Sequence, residues 1–148
     1  HLQRRRQRQM CIRDRIEILR SNEHDEELLI KVGRSIRELH RNAVNHGDLS
    51  TNNILISDNR DAFLIDLGLA TREYDLEGFG IDLHVLHEIL RASHPDVKGA
   101  MDLVLKGYSQ LDEELGKPEA APGGFPPDAE DVIKRLGQIM KRVRYHGG

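Results

Sequence analysis

The 148-residue chain has no tryptophan, three tyrosines, three phenylalanines and one cysteine. With so few rings it lacks the aromatic platform on which proteins stack single-stranded bases. One cysteine, Cys11, excludes an internal disulfide framework and a cysteine-based zinc site. It points to a reducing compartment, the cytoplasm. No run approaches the roughly 18 apolar residues of a spanning helix, so no membrane role is expected. Proline is also sparse, and four of the five prolines fall within Gly116–Pro127, which reads as a loop. What remains is 38% hydrophobic and 32% charged, enough apolar material for one core.

The net charge of −3 hides a split. Residues 1–15 carry six arginines and one aspartate, whereas the other 133 carry 16 basic against 24 acidic residues. A basic head on an acidic body would suit an arm for an anionic surface. However, Arg4–Arg15 is similar to translated sequencing-adaptor read-through, so residues 1–15 are expected to be non-native. The segment has no apolar stretch of a secretory leader. Residues 16–148 are expected to be one domain.

Within that domain, Leu28, Leu29, Val32, Ile36 and Leu39 recur at helical spacing, with Arg34 and Arg37 among the polar residues between them. A helix is predicted over 24–43. Two apolar runs flank an Asx-rich turn, predicting a hairpin with strands near 53–57 and 62–66. Further helices are predicted over 81–90 and 97–108. Val132, Ile133, Leu136, Ile139, Met140 and Val143 mark a last amphipathic helix. The fold class is therefore mainly α with a short β-hairpin.

The chemistry sits in His46-Gly47-Asp48-Leu49-Ser50-Thr51-Asn52-Asn53, which fits H-x-D-x-x-x-x-N. Thirteen residues after Asn53 comes Asp66-Leu67-Gly68. Taken singly, Asp48 and Asn53 could be turn and cap residues. The combination resembles the catalytic half of a protein kinase. Phosphoryl transfer needs positioning and charge neutralisation more than covalent work. An aspartate can accept the nucleophile's hydrogen, which fits Asp48. An asparagine carbonyl and a second carboxylate can hold Mg²⁺ against ATP phosphates, which fits Asn53 and Asp66. Gly68 would let the chain turn behind the metal ligand. His46 reads as support for the loop backbone. Asp82 reads as a residue opening a helix. His84 and His87 lie at i, i+3, but no further ligand accompanies them.

The details narrow the resemblance. Gly47 and Ser50-Thr51 replace the Arg and Lys-Pro of ordinary protein kinases, and only 16 positions separate Asp66 from Asp82. Then follow Ile81-Asp82-Leu83-His84-Val85-Leu86, Ala92-Ser93-His94-Pro95, Leu105-Lys106-Gly107-Tyr108 and the basic Lys141–Tyr145. From Leu28 to Tyr145 this order resembles the small atypical serine/threonine kinases of the KEOPS complex, the PRPK-type family related to the Rio kinases. Departures are Ser50 for Thr, Leu67 for Phe and His84 for Tyr.

The resemblance implies a kinase-like C-terminal lobe that binds ATP and Mg²⁺ and acts as a Ser/Thr kinase or ATPase. It implies support for threonylcarbamoyl modification of adenosine 37 in tRNAs reading ANN codons. The implied partner is the tRNA threonylcarbamoyltransferase subunit of KEOPS, to which some archaeal members are fused. By the same resemblance Asp48 is the catalytic base, Asn53 and Asp66 are the Mg²⁺ ligands, and Asp82 is a buried anchor for the loop backbone. Upstream of Asp48 there is no G-x-G-x-x-G and no strand lysine, so the N-terminal lobe is expected to be absent. Two other readings remain. One is a small-molecule phosphotransferase of the aminoglycoside or choline kinase type. The other is a non-catalytic pseudokinase scaffold.

Lys134, Arg135, Lys141, Arg142 and Arg144 place five bases within eleven positions. They suit the C-terminal end of a helix dipole. The resemblance implies a second role, in which Lys141, Arg142 and Arg144 touch tRNA phosphates.

Overall fold

The computed structural model describes residues 10–11, 24–93, 95, 97, 99–119 and 126–146. Among these residues four helices dominate: α1 (His24–Arg41), α2 (Leu76–Ser93), α3 (Ala100–Leu115) and α4 (Ala129–His146). Five short strands join them: β1 (Met10–Cys11), β2 (Val44–Asn45), β3 (Ile54–Ile56), β4 (Ala62–Leu64) and β5 (Thr71–Arg72). Strands β1, β3 and β4 form one antiparallel sheet with β3 central, and β2 pairs with β5 in a second. The chain is thus mainly helical with a short hairpin. None of the described helices is long and apolar enough to cross a membrane. Of the segment 1–15, only the pairing of Met10 with Ile56 and Cys11 with Leu55 lies within the described residues.

The predicted hairpin is present but shorter. Ser57 closes its turn, accepting the Asp61 amide on its hydroxyl oxygen at 3.1 Å, and Arg60 takes φ +64°. Asn53 lies in a 3₁₀ turn before β3, and Asp66 lies two residues beyond β4.

The core runs along helix stripes. Leu29, Val32 and Ile36 of α1 meet Val104 and Tyr108 of α3, while Phe79, Leu83 and Leu86 of α2 meet Val132 and Leu136 of α4. The structure differs from the periodicity at three places. Arg37, expected between the apolar positions, is fully buried, and Leu39 is only half-buried. Burial is possible because Asp112 pairs with the guanidinium. The helix predicted over 81–90 starts five residues earlier, since Asp75 opens it by accepting the Glu77 and Phe79 amides. Val143 is 48% exposed.

The third helix starts at Ala100 and runs seven residues past the predicted end, to Leu115 before Gly116. Leu111 continues its apolar stripe. Its Gly107 sits against the Ile30 carbonyl group, and Gly33 of α1 sits against the Val104 carbonyl and Tyr108 amide. Two helices that meet through glycines approach backbone to backbone. The loop predicted over 116–127 is described at 116–119 and 126–127; residues 120–125 lie outside the described residues.

Candidate active site

The loop from His46 to Asn53 joins β2 to β3 and folds by tight turns. Ser50 donates its amide to the Asp48 carbonyl at 2.9 Å, and Asn53 to the Ser50 carbonyl at 3.0 Å. Leu49 and Thr51 are buried beneath it, so Asp48 is left exposed on the surface. Gly47 has φ +84°, and a Cβ there would overlap the Leu69 carbonyl. Both facts require glycine where an arginine stands in ordinary kinases.

Asn53 reaches back to Asp48. Its Nδ2 donates to the Asp48 carbonyl at 2.8 Å and to the Asp48 carboxylate at 3.3 Å. Its backbone carbonyl accepts the Ile65 amide at 2.9 Å. His46 holds the other side of the same residue, with Nε2 2.8 Å from the Ile65 carbonyl. That carbonyl can only accept, so Nε2 carries the hydrogen, and Nδ1 accepts the Asp48 amide at 3.2 Å. Ile65 is therefore pinned at both backbone groups, and Asp66 follows it in the chain. Thus the structure bonds His46, Asp48 and Asn53 to one another and to the residue before Asp66.

Asp66 itself takes the left-handed conformation, φ +59°. The sequence expectation assigned that turn to Gly68, which has no left-handed φ. A Cβ on Gly68 would make ordinary contact with the Asp66 carboxylate, at 3.4 Å.

Asp82 is not a helix-opening residue. It lies in the middle of α2, 3% exposed, and its carboxylate accepts the His46 amide at 2.8 Å and the Gly47 amide at 3.0 Å. It also faces His40 Nε2 at 2.9 Å. Sequence reasoning overlooked His40, Arg37 and Tyr108 as partners of this site. A signal existed: Arg37 and His40 fall on the same helical stripe as Val32, Gly33 and Ile36.

The basic residues of α4 divide. Arg135 and Arg142 both bind Glu77 of α2, Arg135 at 2.9 Å. Hydrogen bonds from Arg142 first, then Arg135, hold the Glu77 carboxyl below its ordinary range. Lys141, Arg142 and Arg144 are all exposed. The side chain of Tyr145 lies outside the described residues.

Among the described residues, no three His, Cys, Asp or Glu side chains converge as a metal set, His84 and His87 included. An all-protein cage is therefore not what Asn53 and Asp66 offer. They offer one amide oxygen and one carboxylate from adjacent positions. Mg²⁺ is ordinarily held this way, by one or two carboxylates with substrate phosphates and water completing its shell. The donor chemistry fits.

Comparison with known proteins agrees with this geometry. Residues 9–93, which contain His46, Asp48, Asn53, Asp66 and Asp82, match the model of the lipopolysaccharide kinase (Kdo/WaaP) family. A bifunctional tRNA threonylcarbamoyladenosine biosynthesis protein of Methanosarcina mazei is 36% identical over 115 residues, 78% of this chain and 18% of that protein. A serine/threonine-protein kinase BUD32 homolog of Archaeoglobus fulgidus is 34% identical over 115 residues, 78% of this chain and 51% of that protein. The KEOPS complex subunit Bud32 of Pyrococcus abyssi is 34% identical over 117 residues, 78% of this chain and 47% of that protein. The chain spans about a fifth of the bifunctional relatives and about half of the Bud32 relatives it matches. With more than half its length matched and the loop, hairpin and second aspartate in place, the chain belongs to the kinase-like Kdo/WaaP family and is homologous to the Bud32 proteins.

Proposed function

We propose that this chain is the C-terminal lobe of a Bud32-type Ser/Thr kinase or ATPase, using ATP and Mg²⁺ in support of tRNA threonylcarbamoyladenosine formation. The observation that carries the reading is the Asp48–Asn53–Asp66 cluster, tied together through Ile65 and Asn53 Nδ2. Asn53 and Asp66 would hold Mg²⁺, which neutralises phosphate charge as the phosphoryl group moves. Asp48 takes the hydrogen of the attacking water or Ser/Thr hydroxyl onto a carboxylate oxygen. The Asn53 amide hydrogen steadies that carboxylate, and Asp82 steadies the backbone behind it. The small-molecule phosphotransferase reading is less favoured, because the relatives carry tRNA-modification and Bud32 names. The proposed setting is cytoplasmic, with the KEOPS transferase subunit as partner.

The test is a pair of kinetic constants on the full-length protein. Asp48→Ala should slow ATP turnover by about 100-fold or more, since a positioned acid–base group contributes about 10² to 10⁴. Nucleotide affinity should stay within about twofold, because Asp48 acts on the nucleophile side. Unchanged turnover would remove Asp48 from the mechanism.

The tail gives a second measurement. Lys141, Arg142 and Arg144 stand exposed on α4, on the same element as the Glu77-bound Arg135. Deleting residues 141–148 from the full-length protein should weaken tRNA association by the assembled complex. The plot of log affinity against log salt should flatten by about one unit for each phosphate that is no longer neutralised. ATP hydrolysis without tRNA should barely change. Filter binding across a salt series reads the slope, and an unaltered slope would leave these bases serving only the helix end and Glu77.

A further inference from the structure

By volume, the largest fully buried side chain among the described residues is charged: Arg37 of α1. Its Nε and Nη2 donate to Asp112 at 2.8 and 3.1 Å, and Nη2 also donates to the Pro127 carbonyl at 2.9 Å. Nη1 points to the Tyr108 hydroxyl at 3.4 Å. That hydroxyl is 2.7 Å from His40 Nδ1, and His40 Nε2 is 2.9 Å from Asp82. From Asp82 the bonds pass to the His46 and Gly47 amides, beside Asp48.

The direction of every bond in this row is decided by chemistry. A guanidinium only donates, so the Tyr108 oxygen accepts from Arg37, and its one hydrogen goes to His40 Nδ1, the acceptor of a neutral ring that faces Asp82 through Nε2. His40 must then carry its own hydrogen on Nε2, facing a carboxylate that can only accept. Burial lowers the His40 pKa and keeps the ring neutral. Burial raises that of Tyr108 and keeps its hydrogen in place. The His40 ring cannot swing, because Phe79 stacks on it at 4.3 Å and Tyr108 meets it edge-on at 5.6 Å. The donors from Arg37 through Tyr108 and His40 therefore run one way, toward Asp82, and the His46 and Gly47 amides of the catalytic loop donate to the same carboxylate from the other side.

We propose that Tyr108, with Arg37 behind it, is a positioning residue for the active site. Its hydroxyl bonds His40 Nδ1 and so orients the ring, His40 orients the Asp82 carboxylate, and Asp82 holds the His46–Gly47 backbone that presents Asp48. The proposal rests on the reading of Asp48 as the catalytic base only where turnover is measured. Its structural half stands apart from that reading.

Tyr108→Phe removes the hydroxyl and little volume. His40 Nδ1 is then buried without a donor, and the Asp82 carboxylate alone holds the ring in place. In the 148-residue chain, amide exchange at His46 and Gly47 should speed up by about tenfold beyond any change at the core amides of Ile36 and Val104. In the ¹⁵N spectrum of His40, the Nδ1 resonance should move as that nitrogen loses the Tyr108 hydrogen bond. In the full-length protein, kcat for ATP hydrolysis should fall by about tenfold with KM for ATP within about twofold, since misplacement acts on the chemical step. Leu136→Ala, a cavity in the α4 core, should speed exchange at all these amides alike. The proposal is overturned if Tyr108→Phe behaves like Leu136→Ala, or if the unsubstituted protein shows His40 with its hydrogen on Nδ1. The latter measurement decides even if Tyr108→Phe does not fold. Absence of ATP hydrolysis by the unsubstituted full-length protein would sink the kinase reading instead, and exchange at His46 and Gly47 would still decide the positioning.

Discussion

Asp66→Ala in the full-length protein is expected to reduce Mg²⁺-dependent ATP hydrolysis by about a thousandfold or more. The effect is large because, of the two proposed Mg²⁺ ligands, Asp66 carries the charge and Asn53 is neutral. Stabilisation of developing charge by a bound metal is worth several kcal/mol, and about 4 kcal/mol is a factor of about a thousand. The position has a second constraint. Asp66 holds φ +59°, a conformation in which alanine is strained by about 1–2 kcal/mol. Asp66→Asn is therefore the sharper variant, since asparagine tolerates the left-handed region and keeps one oxygen while losing the charge. Both should fail in steady-state hydrolysis, and Asp66→Asn should melt close to the parent because the side chain is exposed. Hydrolysis at the parental rate by Asp66→Asn would show that this carboxylate has no part in the reaction.

A comparable effect on stability is expected from Gly33→Ala. A Cβ there would overlap the Val104 carbonyl oxygen and lie 2.8 Å from the Tyr108 amide nitrogen. Both are backbone atoms of α3, so no side chain can rotate away. The helices would have to part, and Gly107, whose added Cβ would lie 2.7 Å from the Ile30 carbonyl carbon, marks the same crossing from the other side. Ordinary overpacking costs about 1–3 kcal/mol. A backbone clash at the tightest crossing of the core should exceed that and lower Tm by about 10 °C or more. Gly137→Ala supplies the opposite sign. It is exposed on α4 and an added Cβ meets nothing within 4 Å, so helix propensity should raise stability by up to about 1 kcal/mol. Thermal melts of the two variants beside the parent read both. A Gly33→Ala melt within about two or three degrees of the parent would mean that α1 and α3 do not cross here.

The sequence by itself determined a good deal. Periodicity located four helices and the hairpin, because burying one stripe of each requires a repeat that survives in the linear order of residues. The spacing from Asp48 to Asn53 to Asp66 marked the cluster, because a loop and a two-stranded hairpin are local and carry their ends together. Tertiary structure alone decided the rest. From its own surroundings Asp82 read only as a helix residue, and its part as a buried anchor came from the family resemblance alone, since its partners, the Gly47 and His46 amides, lie 35 and 36 positions away and backbone donors leave no mark on sequence. Arg37 and His40 carried a fainter mark, their place on the apolar stripe of α1, but polarity assigns them to solvent and only α3 captures them, through Asp112 and Tyr108. The glycine crossing of Gly33 and Gly107 could not be read either, because a missing side chain signals nothing until a second helix is laid against it. Even the turn at Asp66 belongs to this class. His46 and Asn53 grip Ile65 from two sides, and that grip, rather than the freedom of Gly68, places the left-handed residue at the aspartate itself.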